Sequence, residues 1–216
     1  MAGKRSGQNI SSAVMQQRSE PHDSLDDFPT PPWATRALIA ELSRRGIPLG
    51  RFCREPAANR GHMVRPLMEC FDDVEAADIH DYGAGFPVKD YLFGPLPFDV
   101  DWTITNPPYR LACQFIWRGL ATSRIGCAVL VRGAFIEGVG RYRDLFSVTT
   151  PSLMLQFAER VVMHKGKLSA DGSTATAYCW LVWLTGQAGP VQKCELGWIP
   201  PCRSRLELPG DYEAAP

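Results

Sequence analysis

An α/β fold follows from the order of apolar runs along the chain, in which short β-branched stretches alternate with segments of helix or loop length. The expected sheet is mostly parallel, carries helices on both faces and finishes in an antiparallel hairpin. Length and composition agree with this. The 216 residues suit one domain of moderate size, and 45% apolar with 21% charged residues is the balance of a globular protein.

Residues 1–27 are rich in Ser, Gln, Asp and Arg and predict a disordered leader, because they hold too little apolar surface to offset the entropy of ordering. Thr30 is placed to cap a helix whose first turn accepts Pro31 and Pro32, whose missing amide protons would have had no intrahelical partner. Leu38, Ile39 and Leu42 give that helix an apolar face. Phe52-Cys53, then residues 74–79, 100–105 and 127–131 read as buried strands. Residues 160–167 and 174–185 are the expected hairpin arms, joined through Ala170-Asp171-Gly172, where Asp-Gly favours a tight turn. Pro190, Pro200, Pro201 and Pro209 then interrupt the pattern, so residues 186–216 read as a Pro-rich tail and the folded unit as 28–185.

Several function classes are excluded by composition. The longest apolar run, residues 178–184, is far shorter than the roughly 20 residues of a membrane span. Lys4 and Arg5 precede a polar or mixed stretch where a signal peptide would be apolar, which predicts a cytoplasmic protein. Seven cysteines form an odd set without a C-x-x-C pair, fitting neither a disulfide framework nor a zinc cluster. His62 and His164 have no partner at metal-ligand spacing, so no metal is expected. Lys plus Arg equals Asp plus Glu at 23 each, so any polyanion-binding surface has to be local.

The sharpest chemical signal is Thr105-Asn106-Pro107-Pro108-Tyr109, directly after the strand that runs through Asp101-Trp102-Thr103-Ile104. In open α/β sheets ligands sit beyond the carboxyl ends of strands. Two prolines stiffen the bend and remove two amide donors, leaving the Pro107 carbonyl and the Asn106 side-chain carbonyl to accept hydrogen bonds. An exocyclic amine has two protons to donate, and Tyr109 offers an aromatic face for its planar ring.

This bend resembles the catalytic motif of the amino-methyltransferases that use S-adenosylmethionine, particularly the small DNA adenine-N6 methyltransferases of phage and bacteria. Pro29-Thr30-Pro31-Pro32-Trp33-Ala34-Thr35 is similar to the cofactor-binding segment ahead of that family's first strand. Glu55-Pro56-Ala57-Ala58-Asn59-Arg60-Gly61-His62-Met63 is similar to the loop beneath the cofactor, with Asn59 where a second glycine is usual. Asn tolerates a left-handed backbone better than most residues and can preserve the turn. Asp78 is placed like the acid that accepts from ribose hydroxyls, with Asp81 competing for the role. Asp90-Tyr91-Leu92 resembles the segment whose acid receives the cofactor's adenine amine.

The resemblance covers residues 28–185 and implies a Rossmann-like methyltransferase fold with a seven-stranded sheet. It implies S-adenosylmethionine as cofactor and methyl transfer to the amine of an adenine rotated out of DNA. Arg132, Arg141 and Arg143 follow the strand at 127–131, on the sheet edge that carries Tyr109, and are expected to hold phosphates. RNA and glutamine side chains also present planar amines, so an RNA or protein-glutamine methyltransferase is the alternative. A catalytically silent nucleic-acid-binding module is a third reading, motivated by Asn59, and an interaction protein using the tail a fourth. A monomer or weak dimer is expected.

Overall fold

The computed structural model describes residues 26–187 and 193–213. Helix α1 (Pro32–Arg44) leads into β1 (Phe52–Glu55), the short helix α2 (Val64–Met68), β2 (Asp73–Ala76), β3 (Val100–Thr105) and α3 (Ala112–Ala121). Strand β4 (Ser123–Arg132), the helical turn α4 (Val139–Arg141), β5 (Leu153–Phe157), β6 (Tyr178–Leu184), β7 (Glu195–Ile199) and the turn α5 (Arg203–Leu206) complete the chain.

One sheet holds all seven strands in the order β2-β1-β3-β4-β6-β5-β7. Strand β6 alone runs against the rest, pairing antiparallel with β4 and β5, while every other pairing is parallel. Parallel strands need crossover connections, and the helices in those crossovers cover both faces. On one face Ala128, Leu130, Trp180 and Val182 pack with Trp33, Ala34 and Leu38 of α1. On the other, Val129, Val131, Leu181 and Trp183 pack with Ala112 and Ile116 of α3. Burial on both faces is why these strands read as unbroken apolar runs. The indole N–H of Trp180 donates to the Ala34 carbonyl at 3.1 Å and that of Trp183 to the Thr149 carbonyl at 3.2 Å, so neither buried donor is orphaned.

Local expectations are corrected in three places. The arm that pairs with β6 is β5, not residues 160–167. Residues 153–157 alternate between buried and half-buried positions as a strand requires, whereas Val161, Val162 and Met163 are consecutively buried and belong to no strand. Thr30 does not cap α1: Pro31 holds the cap position with no side-chain hydrogen bond, and the Thr30 hydroxyl faces Asn106. The stretch read as a tail contains β7, which adds to the sheet beside β5, and its later residues are tied to α1. There the Arg36 guanidinium donates to the Leu206 carbonyl and to Asp211, both at 2.8 Å. Residues 1–25 of the expected leader, and residues 188–192 and 214–216 of the expected tail, lie outside the described residues.

Because β1 to β4 run the same way, Glu55, Ala76, Thr105 and Arg132 finish at one edge of the sheet. The reversed β6 begins there, with Tyr178 opposite Arg132.

Candidate active site

At that edge Asn106 leaves β3 with its side chain held by the chain's own N-terminal approach. Its Nδ2 donates to the Phe28 carbonyl and to the Thr30 hydroxyl, each at 3.0 Å. A backbone carbonyl can only accept, so the amide is turned with nitrogen toward Phe28. Its oxygen is left buried without a hydrogen-bond partner among the described residues. Leaving such an acceptor unpaired costs about 1 to 3 kcal/mol. A donor from a ligand would recover it.

A cleft of about 810 Å³, open mouth included, lies beside Asn106. Pro56, Ala57, Ala58 and Asn59 after β1 form one wall. Asp78, Asp90 and Tyr91 form another, and Pro29, Thr30 and Pro108 close the side next to Asn106. The loop after β1 owes its shape to two left-handed residues. Asn59 has φ of 51°, the glycine-like conformation expected of it. Gly61 has φ of 80°, and a Cβ there would lie 2.9 Å from the Phe86 ring. The Asp78 carboxylate fastens this loop to its own strand end, accepting from the Asn59 amide at 2.9 Å and the His80 amide at 3.0 Å. Asp81 instead accepts from the Gly83 amide at 2.7 Å, and it does not line the cleft. The exposed Asp90 accepts from the Leu92 amide at 2.9 Å, which holds that turn at the rim.

Glu55 lies behind this wall and is fully buried. One oxygen accepts from the Ala57 amide at 2.9 Å and the other has no hydrogen-bond partner among the described residues. Burial pushes its carboxyl up to about 8, the Thr105 hydroxyl and Ala57 amide offsetting only part of that. His62 on the cleft wall is pushed down to about 4 by burial, with the Arg65 guanidinium 3.1 Å from its Nδ1.

Pro31, Trp33, Pro107 and Tyr109 do not line the cleft. Trp33, grouped by resemblance with the cofactor segment, is buried in the core, its ring edge-on to Phe157 at 5.6 Å. Tyr109 packs just outside. Its amide donates to Asp26 at 2.7 Å, its phenol lies 3.5 Å from that of Tyr178, and the Arg132 guanidinium sits 4.2 Å from its ring centroid. Burial raises its phenol well above the ordinary value. Of the three arginines singled out by sequence, only Arg132 meets the bend. Arg141 donates to the backbone carbonyls of Phe135, at 2.8 Å, and Glu137, and Arg143 pairs with its neighbour Asp144.

Asp26, Asp27, Phe28 and Tyr178 were not singled out by sequence reasoning. Asp27 accepts from Asn59 Nδ2 at 2.8 Å and pairs with Arg60 at 3.1 Å, so the segment assigned to the leader anchors the cofactor-type loop. The available signal was an acid pair directly before Phe28-Pro29. Tyr178 had none, since its place depends on strand pairing. Among the described residues no three His, Cys, Asp or Glu side chains group as metal ligands.

No family model and no curated protein matches the chain. Solved structures do. A protein from Listeria monocytogenes, described as a candidate class I S-adenosylmethionine-dependent methyltransferase, superposes with a TM-score of 0.59 at 13% identity, over 87% of this chain and 69% of that one. A candidate RNA methyltransferase from Pyrococcus horikoshii gives 0.52 at 15% identity, over 84% and 96%. The chain has a Rossmann-like methyltransferase fold. In this methyltransferase fold the cleft, the Asn59 loop and the Asn106 bend all stand at the carboxyl ends of β1, β2 and β3, where α/β sheets take their ligands. Among the described residues no helix is long and apolar enough to cross a membrane.

Proposed function

We propose that the protein transfers a methyl group from S-adenosylmethionine to the exocyclic amine of an adenine rotated out of DNA. The observation that carries this reading is the buried, unpartnered side-chain oxygen of Asn106, a residue that lines the cleft on a proline-stiffened bend. It is an acceptor with no internal donor, which is what an amine substrate supplies.

The cleft fits the cofactor by the acceptors on its wall and by its position at the carboxyl ends of the strands. Asp78 and Asp90 are the acceptors for its hydroxyls and amine, and the left-handed Asn59 lets backbone come close, with Gly61 shaping the same loop from outside the cleft. Pro29, Thr30, Pro56 and Ala57 supply the rest of its walls, and Glu55 holds the Ala57 amide from behind. When bound, the cofactor supplies an electrophilic methyl group on a sulfonium. Asn106 Oδ1 accepts a hydrogen bond from one amine N–H and the Pro107 carbonyl from the other, which draws the nitrogen lone pair out of conjugation with the ring and leaves both protons on the nitrogen until it is methylated. Pro108 keeps the bend rigid, so little reorganisation is needed at the moment of reaction. Tyr109 stacks the base, and Arg132, with Arg141 and Arg143 released from their internal partners, holds flanking phosphates.

Transfer of labelled methyl from S-adenosylmethionine to DNA, RNA and protein, compared side by side, tests this. Label in N6-methyladenine of DNA is expected. Label confined to RNA or to glutamine in protein overturns the substrate, and no binding of S-adenosylmethionine by calorimetry overturns the enzyme in favour of a silent binding module.

A further inference from the structure

The face of Tyr109 is occupied. The Arg132 guanidinium lies 4.2 Å from its ring centroid and 5.4 Å from that of Phe28, whose ring stands 6.0 Å from Tyr109 at a tilt of 43°. A planar ring slipped between would need a contact of about 3.5 to 4 Å on each side, so the gap must nearly double. Substrate and guanidinium cannot share this face.

We infer that Arg132 is a displaceable lid on Tyr109, a planar cation that covers the stacking face until a planar nitrogenous ring takes its place. This rests on the reading of Tyr109 as the substrate platform. The lid is built to leave. Arg132 is an exposed side chain at the end of β4, and among the described residues no carboxylate pairs with it, Asp26 acting only through space. It is held by the rings of Tyr109 and Phe28 and by the Tyr109 phenol oxygen, contacts without a carboxylate that a stacking base can replace. Once displaced, the guanidinium stays tethered within reach of the incoming ligand's backbone, so opening and phosphate capture become one movement. The lid favours flat rings over flexible amides as substrates, because only a ring recovers the lost face contact. Lysine cannot imitate it, since an ammonium is not planar.

Hydroxyl-radical oxidation of tyrosine rings, which does not depend on the phenolate, mapped by mass spectrometry, reads the lid without any substrate. Tyr142, 66% exposed, serves as internal reference. Relative to it, Tyr109 is expected to react about fivefold faster in Arg132→Ala than in wild type, with Arg132→Lys between. Equal rates in all three proteins overturn the lid and leave the platform reading standing. Adenosine is then titrated into each protein saturated with S-adenosylhomocysteine. Binding about threefold tighter in Arg132→Ala is expected, and weaker binding overturns the exchange by making Arg132 a clamp. Faster oxidation with no adenosine binding by any form overturns the nucleobase reading of Tyr109 and retains the covered ring.

Discussion

Asn106 is oriented by Phe28, whose carbonyl accepts its side-chain N–H at 3.0 Å and so turns the amide oxygen away, unpartnered. The residue that fixes the proposed catalytic acceptor thus lies 78 positions earlier in the chain. Removing the acceptor and reversing the orientation are separable changes. Asn106→Ala should leave cofactor affinity nearly intact and lower methyl transfer by about 100-fold or more, the cost of deleting one preorganised polar group. Asn106→Asp places a carboxylate against the Phe28 carbonyl, which can only accept, and should lower stability by about 1 to 3 kcal/mol. Calorimetry, single-turnover transfer and urea unfolding check the three quantities.

Tyr109 contributes a ring and a phenol, and they should separate. Tyr109→Phe keeps the stacking face and loses the contact with Tyr178 at 3.5 Å, so substrate affinity should change less than threefold, roughly, for a long hydrogen bond at a partly buried site. Tyr109→Ala removes the face and should weaken base binding by about 1 to 3 kcal/mol. Equilibrium binding of oligonucleotide to both variants, with S-adenosylhomocysteine present, measures the difference.

Glu55 makes stability fall as pH rises. Its folded-state pKa is raised from 4.5 to about 8, so across that window the folded protein binds the proton more tightly than the unfolded chain does. The stabilisation is fully present below about 4.5 and is gone above about 8. His62, pushed down to about 4, has the opposite slope and finishes near 6.5. Between pH 6.5 and 8 wild type should therefore lose stability relative to Glu55→Gln, at no more than about 1.4 kcal/mol per pH unit. Urea midpoints for the two proteins across that range measure it, the raised carboxyl of Asp78 cancelling in the comparison.

The loop after β1 gives a backbone test. Asn59→Gly keeps the left-handed conformation and loses the bond to Asp27, and should retain cofactor affinity within about fivefold. Asn59→Val puts a β-branched residue at φ of 51° and should cost about 1 to 2 kcal/mol. Gly61→Ala is strained by φ and by contact with Phe86, and should cost at least as much, roughly 1 to 3 kcal/mol. Thermal unfolding with and without S-adenosylhomocysteine reads both effects.

What the amino-acid order determined alone was everything local. The strand around Val129 was legible because burial on both faces leaves a continuous apolar run, those around Cys53 and Trp102 by shorter apolar stretches, and the bend after Thr105 because two prolines admit few conformations. The left-handed turn at Asn59 was legible for the same reason, since few side chains tolerate it. Tertiary structure decided what depends on distant pairing. Asp171-Gly172 marked a turn, yet β6 found its partner at Leu155 and not across that turn, and Glu195–Ile199 became a strand because β5 offered it an edge. The site followed the same division. Asn106 and Tyr109 announced themselves, whereas Phe28, Arg132 and Tyr178 meet them only because parallel and reversed strands end at one edge of the sheet, and no local pattern encodes such a meeting.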